Sequence, residues 1–333
     1  MDIRDRRGLK QWAAQRLDQA ENARRLVLIW SVASAVISLL ASFLSFLLDT
    51  QIEQTGGLSG IGLRSVLTTL QSLLSMSTVA LIPFWNLGYM ACTLRFTRGQ
   101  RAEDKTLLTG FRRFGPALRM MVLRYVLMGA ISFLVMYMSI SILSMTPLGA
   151  PMLAVIDGHE DAILAGTASE ELMLTASEAM MPLLIGAGVC CVLALLPVIY
   201  RLRLAEFRVV DEPRCGARAA LRESARLMRR HGWSLVALDL SFWWYYLGLI
   251  VAMVLCYGDM LLAGLGVELP FGTDAAFFIF YVIGLLAQVL LLYFKGNLVQ
   301  TTYAAFYDAL RAKHQPVQKA APQDAEPNDV NEL

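Results

Sequence analysis

Charge is in short supply in this chain. Of its 333 residues, 17% are Asp, Glu, Lys or Arg and 56% are hydrophobic, with a mean hydropathy of +0.53. That balance leaves too little polar cover for a protein wetted on every side, and it excludes an ordinary soluble domain. Histidine is rarer still: His159, His231 and His314 lie in separate segments, so no two of them build one site. There is no HExxH, no CxxC, no phosphate-binding glycine loop and no nucleophile elbow. The five cysteines give no disulfide framework, because Cys92, Cys190, Cys191 and Cys256 lie in or beside apolar runs and Cys215 in a basic loop. Asp157, His159, Glu160 and Asp161 sit together, but adjacent acids in a polar loop read as solvated groups rather than cation ligands. The expectation is a non-enzymatic protein without metal or cofactor.

What the chain does have is apolar runs of about 20 residues between charged segments, the length that crosses roughly 30 Å of hydrocarbon. The reading is an all-α, polytopic membrane protein with spans at about 26–48, 66–94, 120–145, 181–200, 235–256 and 275–294. Residues 1–25 precede the membrane domain of 26–312, and the polar tail 313–333 is expected to be disordered. Of the 29 Lys and Arg residues, 28 fall in segments 1–25, 95–124, 201–230 and 295–319, the exception being Arg64. Short loops rich in Lys and Arg stay on the cytoplasmic side, so both termini are expected there. Beside membrane spans these charges read as attraction to anionic lipid, about 1 kcal/mol each near the surface, and not as a nucleic-acid site.

Residues 1–25 carry Leu9, Trp12, Ala13, Leu17, Ala20 and Ala23 at helical spacing, which predicts an amphipathic helix in the inner interface; acids among its charges argue against a signal peptide. On the first span, Ser31, Ser34, Ser38, Ala41 and Ser45 share one face, read as a packing surface rather than a polar pathway. The TGGLSGIG sequence before the second span predicts turns. Pro83 is expected to kink that span, with Asn86 one turn later bonding a carbonyl freed by the kink. In the basic loop that follows, Leu107, Phe111, Phe114 and Leu118 predict a short helix on the membrane surface. Thr167 and Glu170 form a capping box for a surface helix ending near Met180. The fourth span shows a small-residue face at Gly186, Gly188, Cys190 and Ala194, with Pro197 near its end.

The stretch Arg201–Phe242 holds nine arginines by Arg230 and no lysine, then turns apolar. It reads as an interfacial helix whose Ala220, Leu221, Ser224, Ala225 and Met228 face lipid, broken by Gly232 before the fifth span. Asp239 lies about one turn into that span and is expected to pair with an interfacial arginine, Arg201, Arg203 or Arg230, or to make a polar contact in the bundle. Gln288 is the amide of the last span, and His231 stands at the entry to the fifth. Two segments share the pattern Arg-Arg-x-Gly-x-x-Leu, one from Arg112 and Arg113, the other from Arg229 and Arg230. Each follows a proline, Pro83 or Pro197, by about thirty residues, which points to two-helix repeats. The acid and base that follow the proline in mitochondrial carriers are missing, and that family is rejected.

The residues Ala220-Leu221-Arg222-Glu223-Ser224, Leu227-Met228, His231-Gly232-Trp233 and Leu238-Asp239-Leu240-Ser241-Phe242 resemble one bacterial family, catalogued as domain of unknown function 975. Thr301-Thr302-Tyr303-Ala304-Ala305-Phe306-Tyr307 resembles its closing helix, with Asn297 standing where that family suggests a proline. The resemblance implies a bacterial cytoplasmic-membrane protein and adds no chemistry. A structural, assembly or envelope role is the expectation. The alternative is a transporter or channel with its site near Asn86, Asp239 and Gln288; a membrane-protein partner or a second copy is left open.

Overall fold

The computed structural model describes residues 5–54, 61–159, 169–212, 215–264 and 273–314. In chain order its helices are α1 (Arg6–Gln19), α2 (Ala23–Gln54), α3 (Ile61–Thr97), α4 (Thr109–Arg112, after a 3-10 turn Asp104–Leu108), α5 (Phe114–Leu143), α6 (Ala150–Gly158) and α7 (Glu170–Leu202). There follow α8 (Ala205–Asp211), α9 (Ala217–Met228), α10 (Gly232–Leu240), α11 (Trp243–Cys256), α12 (Gly258–Gly264), α13 (Thr273–Leu291), a π turn (Leu292–Gly296) and α14 (Asn297–His314). No strand occurs among the described residues. Five helical stretches are long and apolar enough to cross a membrane, and α10 with α11 makes a sixth if that bent pair is one span. The glycine-rich turn at 55–60, Glu160, Asp161, Thr167 and the tail from residue 315 lie outside the described residues.

The chain forms two compact units. One comprises residues through Ala117, Glu206–Cys215 and those from Trp233 on; the other comprises Leu118–Ala205 and Gly216–Gly232. In the first unit the most enclosed element is α14. Thr301, Tyr303, Ala304, Ala305, Phe306, Tyr307 and Leu310 are all buried, so this helix lies inside protein on nearly every side. It continues from α13 through the π turn, so the helical stretch runs well past the span expected to end near residue 294. Asn297 sits at that junction, where its side-chain oxygen accepts from the Tyr89 hydroxyl at 2.7 Å. A proline there would lose that contact.

Helix α1 packs against α14 and α3, with Leu9 and Ala13 at 1% and 0% exposure. The interfacial helix expected at the N-terminus therefore turns its apolar face to protein, because α14 offers an apolar surface of matching period. Helix α3 runs unbroken through Pro83 for 37 residues, and α7 likewise runs through Pro197. Proline within a span costs a backbone bond that neighbouring groups can replace, so no break is required. At its far end α3 stops in a Schellman motif: Gly99 adopts φ +68°, and the amides of Gly99 and Gln100 donate to the carbonyls of Phe96 and Arg95.

Of the stripe Leu107, Phe111, Phe114 and Leu118 expected on the membrane surface, Leu107 is buried and the other three are exposed. The backbone of residues 104–112 lies directly on α3. A Cβ on Gly88 would come 1.7 Å from the Leu107 carbonyl oxygen, and one on Gly110 would come 1.9 Å from that of Phe84. Phe114 stacks on Phe84 with ring centroids 4.7 Å apart.

The stretch expected as the fifth span is bent. Helices α10 and α11 meet at 65° across Ser241 and Phe242. The amides of Ser241 and Phe242 bond three residues back, to Leu238 and Asp239, and the Ser241 hydroxyl also bonds the Leu238 carbonyl, which ends the α-helical ladder. Lys10 of α1 donates to the Ser241 carbonyl at 2.7 Å and sits 4.0 Å over the Phe242 ring, while Arg6 reaches the Ala237 carbonyl at 3.3 Å. Two cations thus satisfy carbonyls at the C-terminal end of α10, where the helix dipole favours them.

In the second unit, α7 starts at a Ser169 cap that accepts from the Leu172 amide and runs without interruption into the fourth span. The separate surface helix expected to end near Met180 does not exist. Its buried face is Leu183, Ala187 and Cys191, four residues apart, with Cys191 3.2 Å from the Ser132 hydroxyl of α5. Of the small-residue face expected there, Gly186 meets Leu143 but Cys190 is exposed. Helix α9 packs on α7 through Ala220, Leu221, Ser224, Leu227 and Met228, and the Ser224 hydroxyl donates to the Arg201 carbonyl at 2.7 Å. The face of α9 expected to meet lipid meets protein.

Candidate functional site

Five helices of the first unit, α2, α3, α11, α13 and α14, line a cavity of ≈ 310 Å³. Trp30 and Ser34 of α2, Asn86 and Tyr89 of α3, Tyr245 of α11 and Gln288 of α13 line it. Helix geometry places them: Trp30 and Ser34 are four residues apart on α2, and Asn86 and Tyr89 three apart on α3, so each pair shares a face. The Trp30 and Tyr89 rings stack with centroids 4.3 Å apart. The Trp30 indole donates to the Asn86 side-chain oxygen at 3.2 Å, and Trp85 donates to the Trp30 carbonyl at 3.0 Å. Asn86 is thus anchored by Trp30 and not by a carbonyl released at Pro83. The amides of Asn86, Gln288 and Gln300 supply neutral donors and acceptors to the cavity. No charged side chain lines it.

Helix irregularities gather around the same space. Ile82, next to Pro83, belongs to the wall, as does Leu292, the first residue of the π turn. Tyr245 lies three residues beyond the 65° bend. Breaks of the regular ladder within a bundle expose backbone polar groups, and π turns recur at functional sites.

Asn86 and Gln288, named from sequence, therefore share one cavity. Asp239 does not line it. It is 8% exposed and accepts from the Tyr303 hydroxyl, which also bonds the Tyr246 hydroxyl. The structure thus gives Asp239 a polar contact inside the bundle, one of the two arrangements expected for it. His231 sits in the turn between α9 and α10, away from the cavity lining. Arg112, Arg229 and Arg230 are exposed. Arg113 instead donates to the carbonyls of Val209 and Val210. Burial pushes its guanidinium down from the ordinary arginine value, Asp211 opposes that, and Arg95 adds to it.

Sequence reasoning missed a second cluster at the arginine-rich end. Asp211, 6% exposed, is held by Arg98 at 2.6 Å, by Arg311, and by the Tyr307 hydroxyl at 3.1 Å. Arg98 also pairs with Asp308 at 2.7 Å, Arg311 with Glu212 at 2.8 Å, and Arg208 with Glu212 at 2.6 Å. The Schellman stop of α3 positions Arg98 for this role. Its bond to Asp211 raises Arg98 above the ordinary arginine value against the opposing effect of burial, and Asp308 adds to the rise. The signal was present as opposite charges at helical spacing, Arg208 with Glu212 and Asp308 with Arg311, in segments read only for net charge. The cluster ties the end of α3, α8 and α14 together. It is a clamp.

No curated protein and no solved structure matches the chain. The sequence profile of the family described as "Protein of unknown function (DUF975)" matches residues 1–314, nearly the full length. With that coverage, the chain belongs to the DUF975 family.

Proposed function

We propose that this is a non-enzymatic protein of the bacterial cytoplasmic membrane that binds a small polar solute within its helix bundle and passes it across. The observation that carries this reading is the cavity at Asn86 and Gln288, walled where two helical stretches depart from regular helix. Its ≈ 310 Å³ lies in the range of small-molecule sites, about 300–1,000 Å³. Transport sites are commonly built at interrupted helices in mid-membrane. The amides and hydroxyls suit a solute with hydrogen-bonding groups, and the stacked Trp30 and Tyr89 supply an aromatic wall.

In this reading the arginine-rich ends and both termini face the cytoplasm, with exposed Arg112, Arg229 and Arg230 against anionic lipid. Asn86→Cys and Gln288→Cys, probed with impermeant thiol reagents from each face of oriented vesicles, test the proposal. Reaction from at least one face supports it. Protection of both positions from both faces sinks it.

A structural or assembly role is the second reading, favoured by the clamp of Arg98, Asp211, Asp308 and Arg311, which makes the arginine-rich end a rigid platform.

A further inference from the structure

A second, wider cavity of ≈ 800 Å³ lies in the same unit, toward the opposite end of α2. Ser42, Ser45 and Asp49 of α2, Thr78 of α3, Asp259 of α12 and Phe277 of α13 line it. The two cavities share the same sides of α2, α3 and α13. On α2 the inner one ends at Ser38 and the outer one begins at Ala41. Three residues of helix separate them, about 4.5 Å along the axis. On α3 the corresponding pair is Ile82 and Thr78; on α13 it is Leu285 and Phe277.

Between Phe277 and Leu285, one helical turn from each, stands Tyr281. Its hydroxyl crosses to α2, where it donates to the Ser38 carbonyl at 3.4 Å and meets the Ser42 side chain. Tyr281 therefore joins α13 to α2 at the level that separates the cavities. Its bond to the Ser38 carbonyl is long, its ring is only half-buried, and rotation about its side-chain torsions needs no backbone change.

The outer cavity carries two carboxylates and no basic residue in its lining. Gln71 bonds one oxygen of Asp49 at 2.7 Å, while Oδ1 of Asp259 is buried without a hydrogen-bond partner among the described residues. An acidic mouth with low-dielectric walls concentrates cations. The aromatic faces and neutral amides of the inner cavity accept a cation without a fixed counter-charge.

We infer that Tyr281 is the gate between an acidic outer vestibule and the inner cavity, and that the route it closes favours small solutes bearing a positive charge. This rests on the transport reading above and deepens it.

The test uses the full-length chain with Cys190 and Cys215 replaced by Ser, carrying Ser45→Cys in the vestibule or Ser34→Cys in the inner cavity. Trimethylammonium-ethyl and sulfonato-ethyl methanethiosulfonates, one cationic and one anionic, are applied from the Asp49 face. The parent without either added cysteine, with and without Tyr281→Ala, is the blank for the remaining thiols.

Ser45→Cys should react whether or not Tyr281 is present. Ser34→Cys should react about tenfold faster in Tyr281→Ala, the change expected when one closing hydrogen bond is lost. Tyr281→Phe, which keeps the ring and so the packing, should show an intermediate gain. The cationic reagent should outpace the anionic one at Ser34→Cys, and Asp49→Asn with Asp259→Asn should erase that difference.

A rate at Ser34→Cys indifferent to both Tyr281 variants overturns the gate, while labelling from the arginine-rich face would leave the solute cavity standing. Equal rates for the two reagents overturn the charge preference. Ser34→Cys unreactive from both faces in every background removes the solute reading and the gate with it.

Discussion

Asp211 has lost nearly all contact with solvent, and three donors converge on its carboxylate: Arg98, Arg311 and the Tyr307 hydroxyl. Asp211→Asn keeps the volume and removes the charge, so it isolates the electrostatic part. Each hydrogen bond to a charged group contributes about 1.5–3 kcal/mol, and breaking a buried pair costs about 3–5 kcal/mol. The arginines are 34% and 27% exposed, so water recovers part of their loss. The expected destabilisation is then about 2–3 kcal/mol, below the fully buried range. Urea unfolding in mild detergent measures it, because urea does not screen charges; Trp12, Trp30 and Trp85 report on this end of the first unit. The decisive number comes from a cycle with Arg98→Gln. The coupling should be about 1.5 kcal/mol, because Arg98 keeps Asp308 when Asp211 is neutralised. A coupling of about 0.5 kcal/mol or less is the value of an exposed surface pair, and it would refute the clamp.

Gly88→Ala and Gly110→Ala should each cost about 3 kcal/mol or more in the same unfolding assay, since their Cβ atoms would strike backbone. Gly115→Ala, with nothing within 4 Å, should be neutral or stabilising by up to about 1 kcal/mol. Burial, with Arg6 beside it, holds Lys10 below its ordinary value of 10.5. The unfolded chain therefore binds that proton more tightly. The corresponding stability is present above the unfolded value and is lost as pH falls through the folded one. Urea midpoints should rise over that alkaline window in the native chain, and Lys10→Met should flatten the slope. Reporter fusions after residue 160 should read outside and after residue 215 inside; the reverse would overturn the orientation.

The helical class and the presence of several apolar spans were legible because a membrane imposes length and hydropathy on each segment independently of its neighbours. Partners were not, because periodicity shows which face is shielded without showing by what. Ala220, Leu221, Ser224 and Met228 form the same stripe whether they meet lipid or α7, and Leu9 with Ala13 the same stripe whether they meet lipid or α14. The serine face of α2 shows the limit most clearly. Read alone, Ser31, Ser34, Ser38 and Ser45 predict close packing, and Ser31 is indeed buried. Whether the remaining serines meet protein or space depends on the facing helices. Where α11 faces α13, Gly248 and Gly284 let the helices close; a Cβ on Gly284 would come 2.7 Å from the Cys256 amide nitrogen. Where α2 faces α3, Trp30 of α2 stacks on Tyr89 of α3, and Tyr281 reaches from α13 to α2. The remaining serines, Ser34, Ser38 and Ser45, line the two cavities. A small-residue stripe is a packing face only when its partner is also small or fits into it. Here the partner residues are distant in sequence, so their fit was set by the fold.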